Sequence, residues 1–549
     1  MKKLLLLLVY LFSISIFAQD KGNFSGGFES NTQWYLNDNG LNIAHPEYPF
    51  RSNNYLALNY SFKRFSFGLQ GEMYKNRALL NFNPEYKNTN VATYFLQYKD
   101  KQIDATVGYF YEQFGSGLLF RSWEDRTLGL NNALRGGKII YKPFDFLVIK
   151  GIYGQHRSGF SLSNGKIFGF DSEISISELL NKQQSKLSLG FTYVGRDEQA
   201  TISEPNFLTL TNAFAGRINF SKNAFYLATE YNFKSNDAVV QVQKINNNFI
   251  KPGSAFLFNT GYSKKGFGID GTFRRLENMS FYSERQAKGN LYNDKIMNFV
   301  PSLTKQHHLN LANIYTYQAQ PNVSMLDESV LKAGEIGGQI DVFYTFKKGS
   351  VLGGKYGTKI AFNASNWFGL KGDYSIVNST YTTEFMGFGS KYFSDYNFEI
   401  TKKWNSKWQT IFTLINQYYN KKQIEETYGL IKATILAAEA TYKFTPTKSV
   451  RVLGEHLWAD SDKKNWTSST IEFNTNSKLS FFISDMYNYG NEDVNAKNHY
   501  YNLGGSYRFK ATRFAINYGR QRGGLLCVGG ICRYVPESSG ISLSLSTSF

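Results

Sequence analysis

Apolar and polar residues alternate from about residue 22 to the end of this 549-residue chain, and this pattern predicts an all-β protein. In one such stretch Leu187, Leu189, Phe191 and Tyr193 alternate with small or polar residues. Successive side chains of a strand point to opposite faces, so each stretch has one apolar and one polar face. The apolar faces end in aromatic residues, as in the girdles of membrane barrels. The pattern predicts a single large antiparallel transmembrane β-barrel.

The composition supports a barrel over the alternatives. Aromatic residues make up 17% of the chain and charged residues 19%, whereas soluble domains are usually about a quarter charged. A soluble sandwich or solenoid array would use the apolar faces as its core, but no segment of helical period is present to cover them. The chain after its first segment also lacks the stretch of about 18 apolar residues that a helical membrane span needs. Strands in hydrocarbon must close into a ring, because exposed backbone cannot be solvated there.

The first 18 residues are predicted to be a signal peptide. Lys2 and Lys3 precede the apolar run Leu4–Phe17, and the small residue Ala18 follows it. This order is typical of an export signal that is removed. We therefore expect residues 1–18 to be the signal peptide and residues 19–549 the outer-membrane β-barrel.

Short, Lys-rich turns set the expected number of strands. Long polar connections separate them, and in outer-membrane barrels the short turns face the periplasm. Ten short turns imply 22 strands, and two irregular reversals, near 178–185 and within 278–335, would raise the number to as many as 26. The ten turns are Lys63-Arg64, Lys99–Lys101, Lys142–Phe144, Ser221–Asn223, Lys264–Gly266, Lys347–Gly354, Lys403–Lys407, Thr445–Lys448, Asn474–Ser477 and Phe509–Thr512.

The last strand carries a predicted assembly signal. Ile541, Leu543, Leu545, Thr547 and Phe549 share one face, and serines occupy the other. A terminal strand that ends in Phe resembles the signal read by barrel-assembly machinery. We therefore expect that machinery to be a partner during biogenesis.

A barrel of more than 20 strands encloses a wide lumen, which is plugged in known cases. The alternation begins at Gly22–Leu36 and leaves no separate plug domain at the amino terminus. Inward loops, a partner protein or a flattened barrel must therefore fill the lumen. The segment Glu112–Lys138 is the internal candidate, because glycines and mixed charges suit a loop across the bore. The predicted constriction residues are Arg121, Glu124, Asp125, Arg126 and Arg135; the alternative is an ordinary surface loop.

The sequence offers few residues that could support catalysis. Only six His occur, and no pair has a spacing that forces a catalytic arrangement. His307 and His308 adjoin the start of a predicted strand and would point to opposite faces, while His456 is expected to be a hydrogen-bonded residue of the lumen. No phosphate-binding glycine loop is present. We predict no enzymatic activity, no catalytic or metal-ligating residue and no cofactor; a barrel-embedded lipid hydrolase would have to use His456.

The two cysteines, Cys527 and Cys532, are predicted to form a disulfide. They are a close, even pair in an exported chain, and Gly529 and Gly530 supply the turn between them. A metal site would need further ligands, and only Glu537 is near.

The net charge of +18 comes from dispersed basic residues, many of them at the short turns. Such residues would contact outer-membrane lipids, including lipopolysaccharide, or would favour anionic solutes in the lumen. Nucleic acid is not an expected partner, because no basic binding fold is present.

Two segments, Tyr111–Gly137 and Arg522–Glu537, resemble a family of Bacteroidota outer-membrane barrels catalogued as a domain of unknown function. The opening Gly22–Asp38 is similar to its start. The resemblance covers essentially the whole mature chain and implies the barrel fold and a Gram-negative outer membrane. It brings no activity, substrate or catalytic residue. Large barrels of that phylum often work with lipoproteins or in export complexes, which implies lipoprotein or periplasmic partners by analogy.

Two functions therefore stand nearly equal. The first is a non-enzymatic channel or scaffold subunit whose lumen is closed by inward loops or partner proteins. The second is a stand-alone gated pore for small solutes, anions among them, with Glu112–Lys138 as its constriction. The lipid hydrolase ranks well below both.

Overall fold

A closed ring of antiparallel strands forms the protein. The structure is a computed structural model, and it describes residues 22–182, 184–199, 208–241 and 244–549. Twenty-four strands, β1–β24, pair in chain order into one sheet. This confirms the predicted single barrel of 22–26 strands. The predicted signal peptide, residues 1–18, lies outside the described residues.

The first twelve barrel strands are β1 Asn23–Tyr35, β2 Phe50–Phe62, β3 Phe65–Lys75, β4 Asn88–Lys99, β5 Ile103–Phe110, β6 Leu134–Phe144, β7 Leu147–Ser158, β8 Ser161–Ser175, β9 Lys186–Asp197, β10 Leu210–Lys222, β11 Phe225–Gln241 and β12 Lys244–Lys264. The second twelve are β13 Phe267–Glu277, β14 Gly334–Thr345, β15 Thr358–Ser375, β16 Thr380–Lys403, β17 Trp408–Asn420, β18 Leu430–Lys443, β19 Ser449–Ala459, β20 Trp466–Asn474, β21 Leu479–Tyr487, β22 Asn502–Phe509, β23 Thr512–Gln521 and β24 Ser538–Ser548.

Among the described residues, helices are few and short. They are α1 Ile176–Leu179, α2 Lys421–Glu425 and three 3-10 turns, Lys288–Tyr292, Leu311–Asn313 and Val494–Ala496. In the part of the chain that the structure describes, no helix combines the length and the apolar character needed to cross a membrane.

The ring closes where β24 pairs with β1, with Gly27 opposite Ser548. Beyond this pairing, the backbone N–H of Gly26 donates to the carbonyl of Phe549 at 2.8 Å, and the N–H of Phe549 donates back at 3.0 Å. A Cβ at position 26 would lie 2.6 Å from the Phe549 ring, so only glycine fits there. The predicted assembly-signal residue Phe549 therefore lies at the seam, and closure leaves no unpaired edge.

The two faces of the wall differ as the alternation predicts. On β10, Phe214 and Ile218 are exposed on the outer surface, whereas Thr211 and Arg217 face the bore and are buried. Large apolar side chains cover the outer surface all around the ring. A closed barrel with an apolar exterior is the architecture of outer-membrane proteins. The protein is a multi-pass barrel of the outer membrane.

Eleven short connections lie at the end of the barrel that also holds the beginning of β1 and the end of β24. Ten of them are the predicted Lys-rich turns. The eleventh is the irregular reversal near 178–185, where α1 follows β8, and it raises the count to 24. The expectation of further strands within 278–335 was wrong. Residues 278–333 run as one long segment between β13 and β14.

The two faces should respond differently to the same added charge. Ile516 on β23 is 46% exposed to lipid, and its neighbour Asn517 faces the lumen. Ile516→Lys is expected to lower the free energy of unfolding by about 2–4 kcal/mol, because a cation near the bilayer midplane is poorly solvated. Asn517→Lys should cost much less. Guanidinium unfolding in liposomes measures both, and equal costs would contradict the assignment of faces.

Candidate functional site: the filled lumen

Four segments of the described chain occupy the bore, and we call them together the lumen plug: residues 76–87, 111–133, 278–333 and 522–537. All four connect strands at the end opposite the short turns. The longest, 278–333, leaves β13, contacts β11 on one side and β19 on the other, and returns to β14. It therefore crosses the lumen instead of lying over its mouth.

Apolar packing holds this segment against the wall. Its residues 309–317 form a buried cluster with the inner faces of β15–β20. The members from the plug are Leu309, Leu311, Ala312, Ile314, Tyr315 and Tyr317, and those from the wall include Trp367, Phe393, Ile415, Ile435, Leu453 and Leu457. Burial of this many apolar side chains is the main contribution to the stability of the plug.

A buried carboxylate anchors the segment beside its own strand. Glu335 of β14 accepts a hydrogen bond from the Arg274 guanidinium of β13 at 2.6 Å. It also accepts from the hydroxyl of Tyr317 and, at 2.7 Å, from the backbone N–H of Gln320. Glu335 and Arg274 are almost fully buried. A buried pair of this kind is costly to break, because either partner alone would be an uncompensated charge.

A second carboxylate anchors the segment on the far wall. Glu455 of β19 accepts hydrogen bonds from the backbone N–H groups of Asn310 at 3.0 Å and Leu311 at 2.9 Å. Asn310 and Leu311 begin a 3-10 turn, whose first N–H groups have no partner within the turn, and Glu455 supplies one.

The side chain of His456, the next residue of β19, points to the opposite face. It lies on the outer face beside Trp458, with Tyr489 at 2.8 Å, so the expectation that it faces the lumen was wrong.

Two histidines in the middle of the segment lie against acidic residues of the wall. His307 Nε2 lies 3.3 Å from Asp395 of β16, and His308 Nε2 lies 3.4 Å from Glu439 of β18. The hydrogen bond to Glu439 raises the pKa of His308. The prediction that the two histidines adjoin a strand was wrong, because both lie in the plug.

A network of charges holds the start of the segment. Arg285 donates to Glu198 at 2.7 Å and to Asp237 of β11 at 2.8 Å. Arg196 of β9 donates to the same Asp237 oxygen at 2.9 Å, and Lys234 lies 3.6 Å from its other oxygen. All five side chains are almost fully buried. The plug is therefore tied to the wall on this side by a buried network in which two carboxylates bind three cations.

Four of the five predicted constriction residues lie in the loop 111–133 inside the bore. Arg126 donates to Glu29 of β1 at 2.6 Å and to Glu124 at 3.1 Å. Arg121 lies over the ring of Phe299, 3.9 Å from its centroid, and so connects this loop to the segment 278–333. Asp125 accepts from two backbone N–H groups of its own turn.

The fifth residue, Arg135, is not in the bore. It is the second residue of β6, and its side chain is exposed on the outer face.

Glu112 anchors loop 111–133 on the side of the short turns. It accepts a hydrogen bond from Lys150 at 2.9 Å and lies 3.4 Å from Lys138. These charges are paired within the protein instead of facing bulk water, unlike those of an ordinary surface loop.

The cysteines form the predicted disulfide. Cys527 and Cys532 are bonded across a hairpin of Gly524–Val528 and Ile531–Val535. Gly529 and Gly530 make the turn with φ of 58° and 80°, a left-handed conformation that favours glycine. The carbonyl of Gly530 accepts from the backbone N–H of Ser302 at 2.8 Å. The hairpin is therefore part of the lumen plug, packed on segment 278–333.

Loop 76–87 completes the plug through a buried acid. Asp294 of the long segment accepts from the amide of Asn83 at 2.6 Å and from the hydroxyl of Tyr86 at 3.2 Å. Burial raises the pKa of Asp294 to about 6. The four segments are thus connected to one another as well as to the wall.

The bore is hollow at the short-turn end on the side of β7–β11. A cavity of ≈ 1130 Å³ there is lined by Glu173, Lys186, Asn219 and Tyr226. A smaller one of ≈ 450 Å³ lies directly beneath loop 111–133, against Lys150 and Glu173. The plug is therefore the barrier between these polar cavities and the other end of the barrel. Across the described ranges, no group of three or more His, Cys, Asp or Glu side chains could hold a metal ion.

Comparison with known families decides the classification. A family of unknown function, DUF6029, matches residues 1–549. The chain belongs to this family. No curated protein matches the chain.

Solved structures similar to this DUF6029 barrel share its fold alone. The siderophore receptor PirA from Pseudomonas aeruginosa is 8% identical, with 97% of this chain and 81% of that chain covered and a TM-score of 0.40. A BenF-like porin from Pseudomonas fluorescens Pf-5 is 11% identical, with coverage of 85% and 98% and a TM-score of 0.34. An E. coli P pilus assembly intermediate, PapC-PapD-PapK-PapG, is 9% identical, with coverage of 96% and 60% and a TM-score of 0.47.

Sequence reasoning overlooked the largest part of the plug in this family member. It selected residues 112–138 and read 278–335 as a loop or further strands. One signal was available, since more than 50 residues without strand alternation lie between two regular strands. Loops longer than about 15 residues without their own secondary structure are usually functional.

Loss of the buried anchor should loosen the plug and leave the ring intact. Glu335→Gln removes the charge that compensates Arg274, at an expected cost of about 3–5 kcal/mol. Glu472→Gln is the matched control, because Glu472 is 42% exposed and Arg451 keeps its second partner, Glu439, so the loss should be about 1 kcal/mol or less. Trypsin should cleave segment 278–333 faster in Glu335→Gln alone. Equal cleavage of both variants and the native protein would show that Glu335 does not anchor the plug.

Proposed function

We propose that this protein is a gated channel of the outer membrane, closed by its own lumen plug. The observation that carries the proposal is the course of segment 278–333, which crosses the bore and is anchored on both sides. A plug supplied by the chain removes the need for a partner to seal a lumen of 24 strands. The polar cavities below it provide space for a solute once the plug moves.

The charges of the plug support gating by rearrangement. They are paired across segments, as in Arg126 with Glu29 and Arg285 with Asp237. The Arg126–Glu29 pair is only part-buried, so its separation costs less than that of a buried pair such as Arg285 with Asp237. Charges of both signs occur together in the plug, and selectivity for anions is not part of the proposal.

A scaffold subunit that binds lipoprotein or periplasmic partners is the second candidate. The observation that favours a lipoprotein at the outer surface, as opposed to a periplasmic partner, is the exposure of apolar side chains at the outer rim, such as Val377 and Tyr428, which are almost fully exposed. Exposed apolar groups that cluster often mark contact sites. In this function the plug would close the barrel permanently.

We also infer that the channel is not an enzyme and that its host is a Bacteroidota bacterium. His456 on the lipid side is badly placed for hydrolysis of a solute in the lumen. The host inference rests on the resemblance of Tyr111–Gly137 and Arg522–Glu537 to barrels of that phylum.

Removal of the plug tests the channel directly. Glu277 and Gly334 are paired neighbours, so a short Gly-Ser turn can replace residues 279–332 without stretching the wall. Loop 112–132 can be replaced in the same way, because Phe110 pairs with Leu134. In planar bilayers the native protein should conduct almost no current. Each replacement should raise the conductance, and replacement of residues 279–332 should raise it at least tenfold.

The control is removal of residues 491–496, a largely exposed stretch of an outer loop, which should leave the conductance unchanged. If the native protein and the plug replacement conduct equally, the plug does not close the channel. The scaffold would be favoured by partner proteins that co-purify in fixed ratio with a native protein that does not conduct. The same partners would still have to be needed for its function after the plug is replaced.

A further inference from the structure

A cavity of ≈ 460 Å³ lies on the outer side of the lumen plug. Loop 111–133 contributes Trp123 to its wall, the hairpin contributes Tyr534, α2 contributes Glu425, and segment 278–333 contributes most of the rest. Tyr534 is 69% exposed, which marks this side as the entrance. The volume lies within the range of small-molecule sites. The cavity is therefore large enough for a ligand that touches several plug segments at once.

Amide side chains dominate the polar part of the wall. Those of Asn293, Gln318 and Asn322 make no hydrogen bond to another described residue, yet they are not enclosed. Each presents a carbonyl acceptor and an NH₂ donor to the cavity. Three free amides of this kind match a ligand whose groups both donate and accept. Hydroxyl groups have that property, whereas carboxylates only accept.

The cations of the cavity wall are Lys332 and Arg533. Lys332 donates to Gln320 at 2.9 Å and lies 3.1 Å from Glu426. The Arg533 guanidinium lies between the rings of Phe82 and Tyr292, 5.8 and 5.1 Å from their centroids, and its nitrogens are enclosed. Both cations are enclosed, whereas the carboxylates of Glu425 and Glu426 are exposed at the wall. The wall therefore repels an anion and offers acceptors to the hydroxyl groups of a neutral ligand.

Aromatic side chains supply the apolar part of the wall. Trp123, Tyr282 and Tyr534 line the cavity together with the amides. Aromatic rings give large, rigid contact areas with a polar edge. The C–H faces of a sugar ring pack on such surfaces while its hydroxyls reach the amides.

We propose that this cavity binds a small neutral carbohydrate of about disaccharide size, held by Asn293, Gln318 and Asn322. The inference rests on the proposed function, because it assigns the cavity as the substrate site of the channel. The site lies on the plug itself, so a ligand that binds one arrangement of the plug better than another shifts the plug toward that arrangement.

Calorimetry on the purified full-length barrel in detergent tests the site. The probes are four neutral disaccharides, maltose, cellobiose, lactose and sucrose, with dialanine as a probe for a peptide site. At least one sugar should bind in the millimolar range or better. Gln318→Leu with Asn322→Leu should weaken it about tenfold or more, because two hydrogen bonds are lost. Asn378→Leu, on an exposed outer loop, should bind as the native protein does.

A second variant guards against a folding defect. Tyr534→Ala is at the exposed rim and should also weaken the sugar several-fold, in a barrel that still migrates as a folded species. Failure of all four sugars to bind, binding that all variants retain, or preferential binding of dialanine would overturn the proposal. These results do not depend on bilayer conductance, so failure of the sugar site and failure of the channel are told apart.

Discussion

The rule that no backbone polar group can remain unpaired in hydrocarbon governs the whole structure. It forces the strands into a ring, and the ring closes only because β24 returns to β1 and Phe549 pairs with Gly26. A ring of 24 strands has a wide bore. The plug is the consequence, since an open bore of that width would breach the membrane. Closure of the wall and filling of the lumen are therefore two parts of one constraint.

The plug determines whether the inner face of the barrel wall is polar or apolar. Where the bore holds water, the inner face carries polar groups such as Asn219 and Glu173. Where segment 278–333 packs, the inner face becomes apolar, with Ile415, Ile435 and Leu453 fully buried. In the middle of β18, at residues 435–438, both faces are therefore apolar, and the alternation that marks the other strands is lost there. Loss of alternation within a barrel strand thus indicates contact with a plug, and apolar contact together with a few buried ion pairs fixes the plug in place.

The sequence predicted what depends on local pattern. The alternation of apolar and polar residues predicted which face of each strand points to lipid. The Lys-rich turns predicted where the chain reverses, and the close spacing of Cys527 and Cys532 predicted the disulfide. Arg135 and His456 were misplaced because a shift of one residue on a strand moves a side chain to the opposite face. The plug was missed because its partners, such as Asn310 and Glu455, are more than a hundred residues apart in the chain. Contacts over such distances leave no local pattern.

The most direct test of this account is a cross-link between the plug and the far wall. The side chain of Asn310 lies 3.2 Å from the hydroxyl of Ser468 on β20. In a folded barrel with Asn310→Cys and Ser468→Cys, the account predicts a disulfide that forms on mild oxidation and locks segment 278–333 inside the bore. A folded barrel in which both new thiols stay free and react independently with a soluble reagent would contradict it.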